Sequence, residues 1–169
     1  MSTAPDRRQP KVKLDIPARQ IRTAKEAIPS RQIKTGGDPE SAERETIAWH
    51  FHRFDTSHAD WGWDKLKAPQ WKVVLQHLVS FEGLTWANLK QQSGGRRVGT
   101  NHHSLEISVL PVDTRKRWAE LHLDDFDTVF SLRVSNTLRL YGVRDGRVLQ
   151  FVWHDPHHGS NRGVCPTNK

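Results

Sequence analysis

Two arginines and three histidines in the last quarter of this 169-residue chain are of the types that handle a phosphate group. Arg133 lies in Phe130-Ser131-Leu132-Arg133-Val134 and Arg139 in Leu138-Arg139-Leu140-Tyr141. A third run ends in Trp153-His154-Asp155-Pro156-His157-His158. A guanidinium donates several hydrogen bonds from a planar fork and keeps its charge, which suits phosphoryl oxygens. An imidazole exchanges a proton near neutral pH and so can serve a leaving oxygen. Such a set matches phosphodiester cleavage without a metal. The plain alternative is that the arginines are ordinary exposed strand residues and the histidines a solvated loop.

For these groups to meet, the chain must form a β-meander. Residues 128–134, 138–143 and 147–154 are three β-rich runs, with Asn136 in the first turn and Asp145-Gly146 as a hairpin signal in the second. Residues of equal parity share a face of a strand, which groups Arg133 with Ser131 and Arg139 with Tyr141 and Val143. Upstream, residues 46–54 alternate as a strand, with Ile47, Trp49 and Phe51 on one side. From about Lys65 a helical stripe of Trp71, Val74, Leu75, Leu78 and Val79 follows and ends at Gly83. Thr85 caps a short helix over 86–91, residues 105–109 form a short strand, and Asp113 caps a helix through Trp118 and Leu121. The expected class is α+β, with a strand, then helices packed on one face of a small antiparallel sheet.

The meander motifs resemble the C-terminal half of RelE/ParE-superfamily toxins, closest to the YoeB-like branch. That branch carries aromatic-Ser-Arg-Arg-Ile, then His-Arg-Leu-Val-Tyr, then a terminal His-Tyr. The motif likeness covers residues 127–158, and element order extends it to 46–158. The resemblance implies a ribosome-dependent messenger-RNA endonuclease that needs no metal or other cofactor, held in check by a cognate antitoxin protein. In that family the RNA's own 2′-hydroxyl attacks the adjacent phosphate. By position, Arg139 matches the arginine that stabilises the phosphate in the transition state, and Arg133 an arginine contacting RNA. His157 stands where the family's general acid lies, with His154 and His158 as neighbours able to replace it. Leu132 and Leu138 stand where the family has arginine and histidine, and Gly159 where an aromatic follows the terminal histidine. No glutamate aligns with the family's general base, for which Glu106 and His103 are the candidates.

Charge divides the chain. Residues 1–37 carry nine Lys/Arg against three acids and no aromatic residue, whereas the remainder holds 17 basic and 16 acidic groups, all ten histidines and all seven tryptophans. The expected organisation is a basic disordered tail over 1–43, a RelE-like domain over 44–160 and a short extension over 161–169. Within the tail, Ile16-Pro17-Ala18-Arg19-Gln20-Ile21-Arg22-Thr23 recurs as Ile28-Pro29-Ser30-Arg31-Gln32-Ile33-Lys34-Thr35. Two extended copies could bind a further protein as tandem linear motifs. No run approaches the ~20 apolar residues of a membrane helix, and the first residues lack an apolar signal core, so a cytoplasmic protein is expected. The single cysteine, Cys165, excludes an intramolecular disulfide.

Two rival readings use other residues. Lys90, Arg96, Arg97, His102 and His103, with Arg144, could track a nucleic-acid backbone as a non-catalytic binding module. His154, Asp155, His157 and His158 with Cys165 could instead hold a metal ion. Trp61 and Trp63 are candidates for an exposed aromatic contact, or for core.

Overall fold

The computed structural model describes residues 39–92 and 101–165. The tail repeat, residues 1–38 of the expected tail, and the loop holding Arg96 and Arg97 lie outside the described residues. Residues Pro39–Arg44 form helix α1. Strand β1 (Ala48–His50) follows, then α2 (Ala68–Phe81), α3 (Trp86–Gln91), β2 (His103–Glu106), α4 (Val112–Glu120), β3 (Thr128–Arg133), β4 (Arg139–Asp145) and β5 (Val148–Asp155). The class is α+β, as expected. Among the described residues no helix is long and apolar enough to cross a membrane.

The five strands form one sheet in the order β1-β5-β4-β3-β2. β3, β4 and β5 make the expected antiparallel meander, and β2 adds to β3 antiparallel. β1 lies parallel to β5, with Ala48 opposite Val148. The β4–β5 connection turns at Gly146, whose φ of +57° is the left-handed conformation that the Asp-Gly signal implied. A bulge interrupts β4–β5: Tyr141 pairs with Trp153 but Gly142 with Phe151, so Val152 is the extra residue. Gly142 is required there, since a Cβ would sit 2.5 Å from the Gln150 carbonyl oxygen. The bulge lets Val152 and Trp153 serve the same core cluster.

Both faces of the sheet are covered. On one, Phe130, Leu132, Leu140, Leu149 and Phe151 pack with Val74, Leu78 and Phe81 of α2 and Trp86 and Leu89 of α3. On the other, Val129, Tyr141, Val143, Val152 and Trp153 pack with Trp118 of α4, Leu110, Leu123, Trp61 and Val164. Trp61 and Trp63 are both core residues. The apolar arc of α2 is wider than its contact, so Leu75 and Val79 remain 51% and 66% exposed.

Two boundaries differ from the sequence reading. The first strand is only three residues long, because the chain turns after it, with Phe54 N–H bonded to the Phe51 carbonyl. The second strand lies at 103–106 rather than 105–109. Ile107–Val109 instead winds into a 3-10 turn, closed by Leu110 N–H on the Ile107 carbonyl just before Pro111. This displacement brings His103 opposite Ser131.

A buried carboxylate ties the second layer together. Asp55, in the loop after β1, accepts hydrogen bonds from Arg117 Nε (2.8 Å) and Nη2 (2.7 Å) of α4 and from Trp153 Nε1 (3.0 Å) of β5. The Ser57 and His58 amides and the Ser57 hydroxyl also donate to it. Burial opposes its ionisation, but Arg117, Ser57 and Trp153 outweigh that and hold the carboxyl well below the usual range. Because ionisation is favoured in the folded state, this stability is present above the unfolded-state pKa of about 4 and is lost as pH falls below it. Asp55→Asn should cost about 3 kcal/mol at pH 7, the lower end for breaking a buried pair, and flatten the acid limb of stability. Urea titrations between pH 7 and pH 2.5 measure both; a variant as stable as the parent with an unchanged acid limb contradicts this role.

Candidate active site

The end of the sheet at the β3–β4 turn gathers polar groups that its centre does not tolerate. Register pairs Arg133 with Arg139 and Arg139 with Asp155, so the three form one row across β3, β4 and β5. The row inward is His103, Ser131, Tyr141 and Trp153. Directly opposed residues and residues two apart share a face, so both arginines point to the α4 side. Tryptophans 61, 118 and 153 fill the middle of that face, inward of the arginine row.

Arg139 is 7% exposed. Its Nη1 donates to the Asn101 carbonyl at 2.8 Å, while its buried Nε has no partner. Burial, then the neighbouring Arg133 charge, depress its pKa. Asp155 is opposite in register but forms no ion pair with it within the described residues. Its carboxylate instead accepts the amides of His157 (2.8 Å) and Val164 (2.9 Å), folding the C-terminal segment back on the sheet. Burial raises the Asp155 pKa to about 6 against the pull of these two amides.

Polar loop groups hold Arg133. Its Nη1 donates to Asn101 Oδ1 (2.9 Å), Nη2 to Asn136 Oδ1 (2.5 Å) and Nε to the Ser135 carbonyl (3.2 Å). Asn101 therefore steadies both guanidinium groups. Its contribution had no sequence signal, since it precedes the strand and belongs to no motif.

Of the three terminal histidines, His158 joins this row. Its amide donates to the Thr137 carbonyl at 3.0 Å, docking it on the β3–β4 turn, and its Nδ1 is 3.2 Å from the Tyr141 hydroxyl. Burial, followed by the charges of Arg139, His103 and Arg133, lowers its pKa to about 4. His157 is half-buried beside it in the turn capped by Asp155. His154 is on the opposite face, paired with Leu140 and 1% exposed, with its ring 6.0 Å from Trp63. It is a core histidine and does not meet the arginines: strand parity separates it from Asp155.

The remaining predicted contacts lie elsewhere. Lys90 and Arg144 share Glu43, at 2.7 and 2.6 Å, and Arg144 also covers the Trp86 ring at 4.1 Å. That cluster is built on α1, α3 and the hairpin end of β4, so neither side chain adds to the row. His102 lies at the row's edge, accepting the Arg133 amide on Nδ1. Among the described residues no group of three or more His, Cys, Asp or Glu side chains is placed to hold a metal ion. The metal reading of the terminal histidines fails on geometry, because His154 and Asp155 point to opposite faces. A groove of about 380 Å³ beside His58 and α4 is lined by Asp113, Lys116, Arg117 and Glu120, and its Arg117 is already neutralised by Asp55.

Neither the family models, the curated proteins nor the solved structures include a match to this chain.

A buried cation such as Arg139, with no carboxylate hydrogen-bonded to it among the described residues, is costly to the fold. Arg139→Met should therefore leave stability unchanged or raise it by about 1–2 kcal/mol. Urea unfolding at pH 7 decides the matter, and a loss above about 2 kcal/mol would make Arg139 a structural residue.

Proposed function

We propose that this chain is the toxin component of a toxin–antitoxin system and cleaves messenger RNA on the ribosome, without a metal, at the arginine row. One observation carries the phosphodiester chemistry: a nearly buried guanidinium with a free donor, opposed to a second guanidinium and flanked by His103 and His158 on one sheet face. Two cations held this close favour an anion between or above them. The meander's likeness to RelE/ParE toxins supplies the remainder of the reading, namely the ribosome, the message and an antitoxin partner.

In this reading the 2′-hydroxyl oxygen of one nucleotide bonds to the adjacent phosphorus, and the bond from phosphorus to the 5′-oxygen of the next nucleotide breaks. The products are a 2′,3′-cyclic phosphate and a 5′-hydroxyl. Negative charge grows on the non-bridging oxygens, where donors fixed on a sheet stabilise it without reorganising. Arg139 supplies that stabilisation, and Arg133 binds the phosphate or its neighbour. The proton released by the 2′-hydroxyl is taken by the imidazole of His103, and His158 faces the leaving oxygen as donor. His157 is the adjacent imidazole in the same turn.

Inducible expression in bacterial cells tests the proposal. The parent chain should arrest growth and cut messages, and co-expression of the antitoxin should restore growth. Arg139→Ala should reduce cleavage about a hundredfold, the usual cost of one such donor, with the fold retained. Arrest that persists in Arg139→Ala contradicts its role. Normal growth with intact RNA under the parent chain contradicts cleavage and leaves the row as a phosphate-binding surface.

A further inference from the structure

The donor role given to His158 rests on the cleavage reading, but what decides its tautomer is visible behind it. Tyr141 is fully buried, and among the described residues its hydroxyl has one well-formed hydrogen-bond partner, His158 Nδ1 at 3.2 Å. Ser131 Oγ lies on the neighbouring strand directly opposite, close enough to influence the phenol, yet it is buried and makes no well-formed hydrogen bond. Burial and the nearby Asp155 keep the phenol protonated.

A phenol has one hydrogen to give. If Nδ1–H of His158 donated to the phenolic oxygen, the phenol's own hydrogen would be left in a dry interior with only Ser131 to take it, in a geometry that does not close. Buried donors without acceptors are rare because they cost the full desolvation of the group. The bond that satisfies both partners runs from Tyr141 O–H to Nδ1. In a neutral imidazole that places the remaining proton on Nε2, on the side of the ring away from Tyr141.

We propose that Tyr141 is a positioning residue that fixes His158 in the Nε2–H tautomer, so that the imidazole presents a donor rather than a base to the phosphate on the arginine row. The groups acting on His158 are Arg133 from β3, Arg139 from β4 and His103 from β2, with the Tyr141 hydroxyl at its Nδ1, while Asp155 and His157 precede it in the same segment. Three of these disfavour a second proton on the ring, so the charged form appears when an anion offsets the arginines. The site thus couples anion binding to proton uptake at His158.

Nitrogen-15 NMR of the full chain with labelled histidine reads the tautomer directly, with inorganic phosphate as the probe. At pH 7 without phosphate, His158 should show an unprotonated Nδ1 and a protonated Nε2. Saturating phosphate should move its titration midpoint up by at least about one pH unit. Tyr141→Phe should give a mixture of tautomers, and Ser131→Ala should keep the resting tautomer. Nδ1–H in the resting parent chain, or an unchanged tautomer in Tyr141→Phe, overturns the proposal. The resting tautomer is measured in the parent chain itself, so it stands even where a variant fails to fold. Phosphate that leaves His158 and His103 unmoved contradicts the arginine row as an anion site, whichever tautomer is found, and thereby separates the two readings.

Discussion

Keeping one guanidinium nearly buried, across from a second and with no carboxylate hydrogen-bonded to it among the described residues, is the constraint around which this end of the molecule is built. Like charges directly opposed on adjacent strands repel, and a desolvated cation is costlier still. The fold sustains Arg139 by closing the sheet around it: β3 and β5 flank its strand, and the Asn101 carbonyl takes one of its donors. The acid opposite it in register gives its oxygens to two backbone amides and acts on the guanidinium through space rather than through a hydrogen bond. A nearly buried guanidinium with an unused donor is unusual for a stabilising role and is the feature on which the proposed anion site rests.

The rest of the second layer holds that row in place. Asp55 joins the loop after β1, α4 and Trp153, fixing the tryptophan cluster that fills the face inward of the arginines. The bulge at Val152 delivers two consecutive side chains to that cluster without disturbing the pairing of Arg139 with Asp155. The segment after β5 is pinned by Asp155, by Thr114 Oγ1 on the Val164 carbonyl and by Trp61 Nε1 on the Arg162 carbonyl. His158 lies within this pinned segment, so its ring is positioned by elements from three parts of the chain.

Much of this was legible from local pattern. The three meander strands, the Asp-Gly turn and the parity of Arg133 with Ser131 and of Arg139 with Tyr141 follow from a period of two and from turn chemistry. The separation of His154 from Asp155 follows from the same parity, once β5 is known to run through to Asp155 rather than stop one residue earlier. Other features depend on long-range contacts that spacing does not encode. β1 joins the sheet parallel to β5, across about a hundred residues. The engagement of Lys90 and Arg144 by Glu43 removes two cations that look available on paper. The carbonyl of Asn101 acts through its backbone and would be read from no side-chain pattern, and the displacement of β2 toward His103 was set by Pro111 and the 3-10 turn before it.

The cleavage proposed at the arginine row is tested most directly by the ends it would leave on RNA. Purified protein, ribosomes and a defined message should yield fragments ending in 2′,3′-cyclic phosphate and beginning with 5′-hydroxyl, and a 2′-O-methyl group at the cut nucleotide should block cleavage. Fragments carrying 5′-phosphates, or undiminished cleavage of the methylated message, would contradict attack by the RNA's own hydroxyl on a phosphate held by Arg133 and Arg139.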